Sequence, residues 1–154
     1  MRLTVLGCAG TYPGRQRMCS SYLVEHAGYR LLLDCGNGSL ANLQRCCDVG
    51  DIDAVLISHV HPDHFVDLYG LYYALRFHPD GPRSVPVYAP AGAREYVAQL
   101  LDDAAQFASV CRFEVVAAGQ ELVLGPLAVS LFAAEHPVET LASRVTAGGT
   151  VLAY

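Results

Sequence analysis

Ser58-His59-Val60-His61-Pro62-Asp63-His64 brings three imidazoles and a carboxylate together at the end of the apolar run Asp53–Ser58. A short apolar run bounded by turn signals has the pattern of a buried strand, so the cluster is expected at a strand's carboxyl end. Side chains alternate along extended backbone, which sends His59 and His61 to the same side. Pro62 lacks an amide hydrogen and restricts His61, so the strand is interrupted there. Asp63 and His64 then fall at the turn into a helix, aimed back at the same cleft. Imidazole nitrogen with carboxylate oxygen suits Zn²⁺, with Mn²⁺ or Fe²⁺ as substitutes. One histidine would read as an incidental polar loop; three with an aspartate at a strand end read as a metal site.

Outward from this stretch, the pattern predicts a mixed α/β chain. Towards the N-terminus it gives a buried strand at Arg2–Gly7, a Gly/Pro-rich loop at Cys8–Arg17, and a hairpin of Ser21–His26 and Tyr29–Asp34 around Ala27-Gly28. Gly36-Asn37-Gly38 is punctuation, and Ser39–Cys47 reads as a short helix. Downstream, Phe65–Phe77 reads as a helix with Tyr69, Tyr72 and Tyr73 spaced for packing, and Ser84–Ala89 as a strand. Ala91–Phe107 reads as a helix that buries Val97, Leu100, Leu101 and Ala104 on one face. The rest is β: Arg112–Ala117, Glu121–Leu124, Leu127–Ala133, Leu141–Ala147 and Thr150–Tyr154, the last two joined through Gly148-Gly149. His26 belongs to a hairpin turn, and His78 to an exposed loop, Phe77-His78-Pro79-Asp80-Gly81.

The chain has 154 residues, of which 53% are hydrophobic and 16% charged, a balance that excludes a disordered segment and fits one domain over residues 1–154. Its net charge of −5, with no lysine, argues against a large phosphate-tracking surface. Arg15 and Arg17 read as solvated loop charges. No apolar run is long enough to cross a bilayer, and seven residues before Cys8 are too few for a lipoprotein signal. A cytoplasmic protein with no membrane partner is expected. The cysteines Cys8, Cys19, Cys35, Cys46, Cys47 and Cys111 form no Cys-x-x-Cys pair, so reduced and mostly buried thiols are expected rather than a zinc ribbon.

The seven-residue stretch resembles the His-x-His-x-Asp-His signature of metallo-β-lactamase-fold enzymes. Leu33-Asp34-Cys35-Gly36 is similar to that family's early aspartate motif. Val87-Tyr88-Ala89-Pro90-Ala91-Gly92 and Glu135-His136-Pro137-Val138-Glu139 resemble segments of its ribonuclease Z-like branch, as does Leu6-Gly7-Cys8-Ala9-Gly10. The resemblance implies a four-layer αββα sandwich with mixed sheets, of which this chain is the N-terminal portion. It also implies that Asp34 supports the metal loop, that His59, His61 and His136 make a three-histidine site, and that Asp63 and His64 begin a second. A metal-bridging aspartate and a later histidine are then expected beyond Tyr154, so one or two zinc ions would be held.

The implied chemistry is metal-dependent hydrolysis with Asp63 orienting the nucleophile. The expected substrate is a small phosphodiester; a thioester or other ester is the alternative, as is metal binding without turnover if the native chain ends at Tyr154. Residues after His136 run directly into Leu141–Ala147, which leaves no place for the long arm of bacterial tRNA-maturing relatives. No tRNA partner is therefore expected, and a homodimer is left open.

Overall fold

In the computed structural model, which describes residues 1–154, consecutive residues of Leu31-Leu32-Leu33 and Ala54-Val55-Leu56 bury on opposite faces of one sheet. Leu32 and Val55 join one apolar cluster, while Leu31, Leu33, Ala54 and Leu56 join another. A strand that is apolar on both faces belongs between two covering layers, and that placement organises the molecule.

The first sheet has six strands in sequential order: β1 (Arg2–Gly7), β2 (Ser21–His26), β3 (Tyr29–Leu33), β4 (Ala54–Leu56), β5 (Val85–Ala89) and β6 (Cys111–Val115). β1, β2 and β3 pair antiparallel, and β3 through β6 pair parallel. The second sheet is an antiparallel meander of β7 (Glu121–Leu124), β8 (Leu127–Ala133), β9 (Leu141–Ala147) and β10 (Thr150–Ala153). Five helices lie within the first sheet's connections: α1 (Ser39–Leu43), α2 (Pro62–Phe65), α3 (Leu68–Arg76), α4 (Ala93–Ala98) and α5 (Ala104–Val110).

Leu43, Leu68, Leu71, Leu75, Val97 and Phe107 from these helices pack on one face of the first sheet. Leu127, Val129, Leu131 and Val145 of the second sheet pack on the other. Each fully buried leucine of this kind contributes about 2 kcal/mol relative to exposure. The layers are thus helix, sheet, sheet. Val123 and Val151 stand exposed on the far side of the second sheet. No helix is long and apolar enough to cross a membrane.

Several sequence readings need correction. β1 is an edge strand with Leu3 and Val5 exposed, not a buried one, because it pairs on a single side and only Leu6 and Gly7 are covered. The helix expected over Ala91–Phe107 is two helices, and Leu100 (77% exposed) and Ala104 point outwards. Phe65–Phe77 is likewise divided, α2 ending at Phe65 and α3 starting at Leu68. Tyr72 packs inside but Tyr73 does not. The helix at Ser39 stops at Leu43 rather than Cys47. Three of the six free thiols, Cys19, Cys35 and Cys111, are buried, whereas Cys8 and Cys46 are exposed. His78 is buried, not exposed, because its Nε2 meets Asp48 Oδ1 at 2.8 Å.

Candidate metal centre

Asp34 and the Ser58–His64 stretch follow the carboxyl ends of the adjacent parallel strands β3 and β4, the edge where open α/β sheets place their sites. Asp34 leaves β3 with φ 56°, a left-handed conformation that few residues other than glycine adopt. Two residues on, Gly36 lets the second segment come close: a Cβ there would fall 2.0 Å from the Asp63 carbonyl oxygen. Cys35 N–H donates to the His64 carbonyl at 2.7 Å, and Asp67 N–H to the Cys35 carbonyl at 2.9 Å, lacing the two segments together. His61 is extended (φ −83°, ψ 142°), and Pro62 opens α2 immediately after it, a position where proline's missing N–H costs nothing.

Asp34 is fully buried and accepts hydrogen bonds at both oxygens. Oδ1 takes the Ser58 N–H at 2.7 Å; Oδ2 takes Ser58 Oγ at 2.7 Å and the Tyr154 hydroxyl at 2.5 Å, and His64 Nδ1 lies 2.5 Å from it. A carboxylate only accepts, so His64 carries its proton on Nδ1 and leaves the Nε2 lone pair free. The Ser58 hydroxyl hydrogen is used on Asp34, so its oxygen accepts from His59 Nδ1 at 2.9 Å. That leaves His59 Nε2 free as well. Asp34 thereby sets the tautomer of two imidazoles, one directly and one through Ser58.

His136 comes from the other sheet, on the connection between β8 and β9 that Ala134 N–H closes onto the Thr140 carbonyl at 3.0 Å. Its Nε2 lies 3.0 Å from His61 Nδ1. The rings of His59, His61 and His136 meet edge to face, with centroids 4.6–4.9 Å apart. Each contributes a nitrogen, and the three atoms lie within 4.8 Å of one another. Nitrogens about 2.0–2.1 Å from a tetrahedral zinc stand about 3.3–3.4 Å apart, inside that spread. The donors are three imidazoles with no fourth side chain in the group, so they fit a divalent ion with one position left open.

His64 and Asp63 form an adjoining pair. His64 lies 4.1 Å from the His59 ring, and its Nε2 is 3.6 Å from Asp63 Oδ2. The Thr11 N–H donates to that same oxygen at 2.7 Å, from a threonine held at φ 68°. Burial alone would raise the Asp63 carboxyl, but the Thr11 amide and the charge of His64 outweigh it and hold the pKa below the ordinary value. Burial and the neighbouring His64 lower His59 to about 4. For His64 burial acts downwards, yet the hydrogen bond and charge of Asp34 raise it overall. A cavity of about 260 Å³ opens beside His59 and His64, with Thr140, Leu141 and Tyr154 on its far wall. The largest surface cavity, about 600 Å³ between Gln44–Val49 and Phe77–Pro79, shares no residue with this cluster.

The structure therefore gathers all six residues singled out in the sequence: His59, His61 and His136 into one donor set, Asp63 and His64 beside it, Asp34 behind. Ser58, Thr11 and Tyr154 were missed. Ser58 sat inside the quoted stretch without an assigned part, while Thr11 and Tyr154 carried no local signal.

Residues 14–148 match the family described as "Metallo-beta-lactamase superfamily". The Bacillus subtilis protein named "Probable metallo-hydrolase YhfI" is 30% identical over 157 residues, covering 100% of this chain and 62% of that protein. The crystal structure of YhfI superposes with a TM-score of 0.85 at 29% identity, over 99% of this chain and 60% of YhfI. A ribonuclease Z of Methanopyrus kandleri is 31% identical over 141 residues, 91% of this chain and 48% of that enzyme. The chain thus spans about half to three fifths of the length of these relatives.

Proposed function

The chain belongs to the metallo-beta-lactamase superfamily, and from that premise we propose that it is the N-terminal portion of a cytoplasmic, zinc-dependent hydrolase of a small phosphodiester. The observation that carries this reading is the convergence of His59, His61 and His136, one nitrogen from each within 4.8 Å, with no fourth side chain in the group. An open position is what separates a catalytic zinc site from a structural one.

A divalent ion held there supplies Lewis acidity, making hydroxide available near neutral pH and offsetting negative charge on the attacked centre. The chain's own residues do the rest. Asp63, kept ionised by the Thr11 amide and His64, accepts a hydrogen bond from the attacking oxygen and orients it. His64 presents Nε2 towards the same space, as the start of a second metal position. Asp34 and Ser58 hold the imidazoles with their lone pairs inwards.

Support for a phosphodiester comes from the ribonuclease Z relatives, which by name open such bonds in RNA. Support for a small one comes from the connections that follow His136. Residues 134–140 form a closed loop, and Gly148-Gly149 joins β9 to β10 in a tight turn. Neither has the length of a tRNA-gripping arm, and the net charge is −5. The test is to assay the zinc-loaded protein from the complete coding sequence on bis(p-nitrophenyl) phosphate and on a thioester. Diester turnover exceeding thioester turnover supports the proposal, and the reverse order replaces it with a thioesterase.

A further inference from the structure

The donor set is drawn from two sheets. His59 and His61 follow β4 of the first, and His136 follows β8 of the second. Between the sheets lies apolar packing, Leu31, Leu33 and Leu56 against Leu127, Val129 and Val145. Such packing is non-directional; it sets how far apart the sheets lie, and it does not by itself fix how one slides over the other. Ligand distances tolerate about 0.2 Å, so something directional has to fix the register at the metal end.

Besides the His136–His61 contact inside the donor set itself, two hydrogen bonds cross between the sheets there. The Leu141 N–H, at the start of β9, donates to the Ser58 carbonyl at 3.0 Å. The Tyr154 hydroxyl, at the end of β10, donates to Asp34 Oδ2 at 2.5 Å. Tyr154 is anchored on its own sheet by reciprocal backbone bonds with Ser143, at 2.7 and 2.8 Å. Its ring packs on Tyr22 with centroids 5.0 Å apart. The oxygen it reaches is the one that also receives Ser58 Oγ and faces His64 Nδ1.

We propose that Tyr154 is a positioning residue for the metal centre: its hydroxyl ties Asp34, and through Asp34 and Ser58 the imidazoles of His64 and His59, to the sheet that delivers His136. Tyr154 touches neither metal nor substrate; it acts through Asp34. Burial, reinforced by the Asp34 charge, holds the phenol far above its ordinary pKa, so it stays a donor at every working pH. The inference rests on the metal-centre reading given above.

Tyr154→Phe removes the hydroxyl and keeps the ring on Tyr22. Tyr22→Phe is the control, since it alters the same ring pair without touching Asp34. Zinc affinity is measured by chelator competition, and ligand geometry by the visible absorption of the cobalt(II)-loaded protein. Tyr154→Phe is expected to weaken zinc binding about 10- to 100-fold, the usual cost of losing a group that orients metal ligands, and to change the cobalt spectrum. Tyr22→Phe should change neither. Wild-type affinity and spectrum in Tyr154→Phe, or an equal loss in both variants, overturns the proposal. If the wild-type protein itself takes up no zinc, the metal-centre reading fails first and takes this one with it. Should Tyr154→Phe not fold, 3-fluorotyrosine placed at position 154 answers the question in an intact chain. A fluorine resonance that moves on zinc addition supports the tie, and one that stays fixed overturns it.

Discussion

His64 turns Nδ1 to Asp34 Oδ2 at 2.5 Å, and this contact leaves Nε2 facing Asp63. Replacing the acceptor with an amide exposes the dependence. At position 34 every partner is a donor: Ser58 N–H and Oγ–H, Tyr154 O–H and His64 Nδ1–H. In Asp34→Asn the NH₂ group has to face at least one of them. Zinc affinity should fall about 10- to 100-fold, and the metal-free protein should lose about 1–3 kcal/mol through the unsatisfied buried donor. Chelator competition and urea unfolding measure the two effects. Unchanged zinc affinity would mean that Asp34 does not orient the ligands.

Acid should weaken the metal-free fold through His59. Burial first, then the charge of His64, depress its pKa from 6.5 to about 4 in the folded chain. The unfolded chain therefore takes up this proton first as the pH falls. The contribution of His59 is fully present above about pH 6.5 and is lost as the pH drops towards 4. His64 has the opposite sign: its raised folded pKa favours the acid side, and that part is lost as the pH rises through it. Melting temperatures of wild type and His59→Asn between pH 7.5 and 4.5 separate the two, because only the wild type should show the His59 part of the decline. Parallel curves would contradict it.

The divided helix makes a stability prediction. Leu71 is fully buried on α3, whereas Leu100 lies between α4 and α5 and is 77% exposed. Leu71→Ala should cost about 2–5 kcal/mol, and Leu100→Ala should stay within about 0.5 kcal/mol. Denaturant unfolding of both variants tests this, and a large loss at Leu100 would restore a single continuous helix over Ala91–Phe107.

How far such placements can be read in advance depends on where their cause lies. His59, His61 and Pro62 act through alternation and a missing N–H, both local, so their geometry was legible from neighbouring residues. The apolar run Asp53–Ser58, bounded by turn signals, announced the buried strand β4 in the same way. Ala91–Phe107 was misread although its break is written locally: Asp103-Ala104-Ala105-Gln106 is a helix start, with the Asp103 carboxylate accepting from Gln106 N–H at 2.8 Å. Apolar periodicity masked it. The break at Val66-Asp67 depends on Cys35 and Leu40, whose bonds to Asp67 come from a distant segment. His78 and Tyr154 are placed by partners 30 and 120 residues away, which no local pattern encodes. His136 was legible only through the family resemblance.

Precursor tRNA should be a poor substrate. With short connections after His136 and a net charge of −5, the chain offers few of the phosphate contacts that hold a folded RNA. Incubating the complete, metal-loaded protein with a precursor tRNA at low salt should give slower cleavage than small diesters do. Efficient cleavage after the discriminator nucleotide would contradict a small-substrate enzyme.

The metal centre itself is tested most directly by anomalous diffraction at the zinc edge. The crystals should be grown near neutral pH, without chelating buffers, from zinc-replete protein, because the imidazoles have to be unprotonated to bind. The expected map has a peak about 2.0–2.1 Å from one ring nitrogen each of His59, His61 and His136. A map with no anomalous density among those three imidazoles would contradict the metal centre.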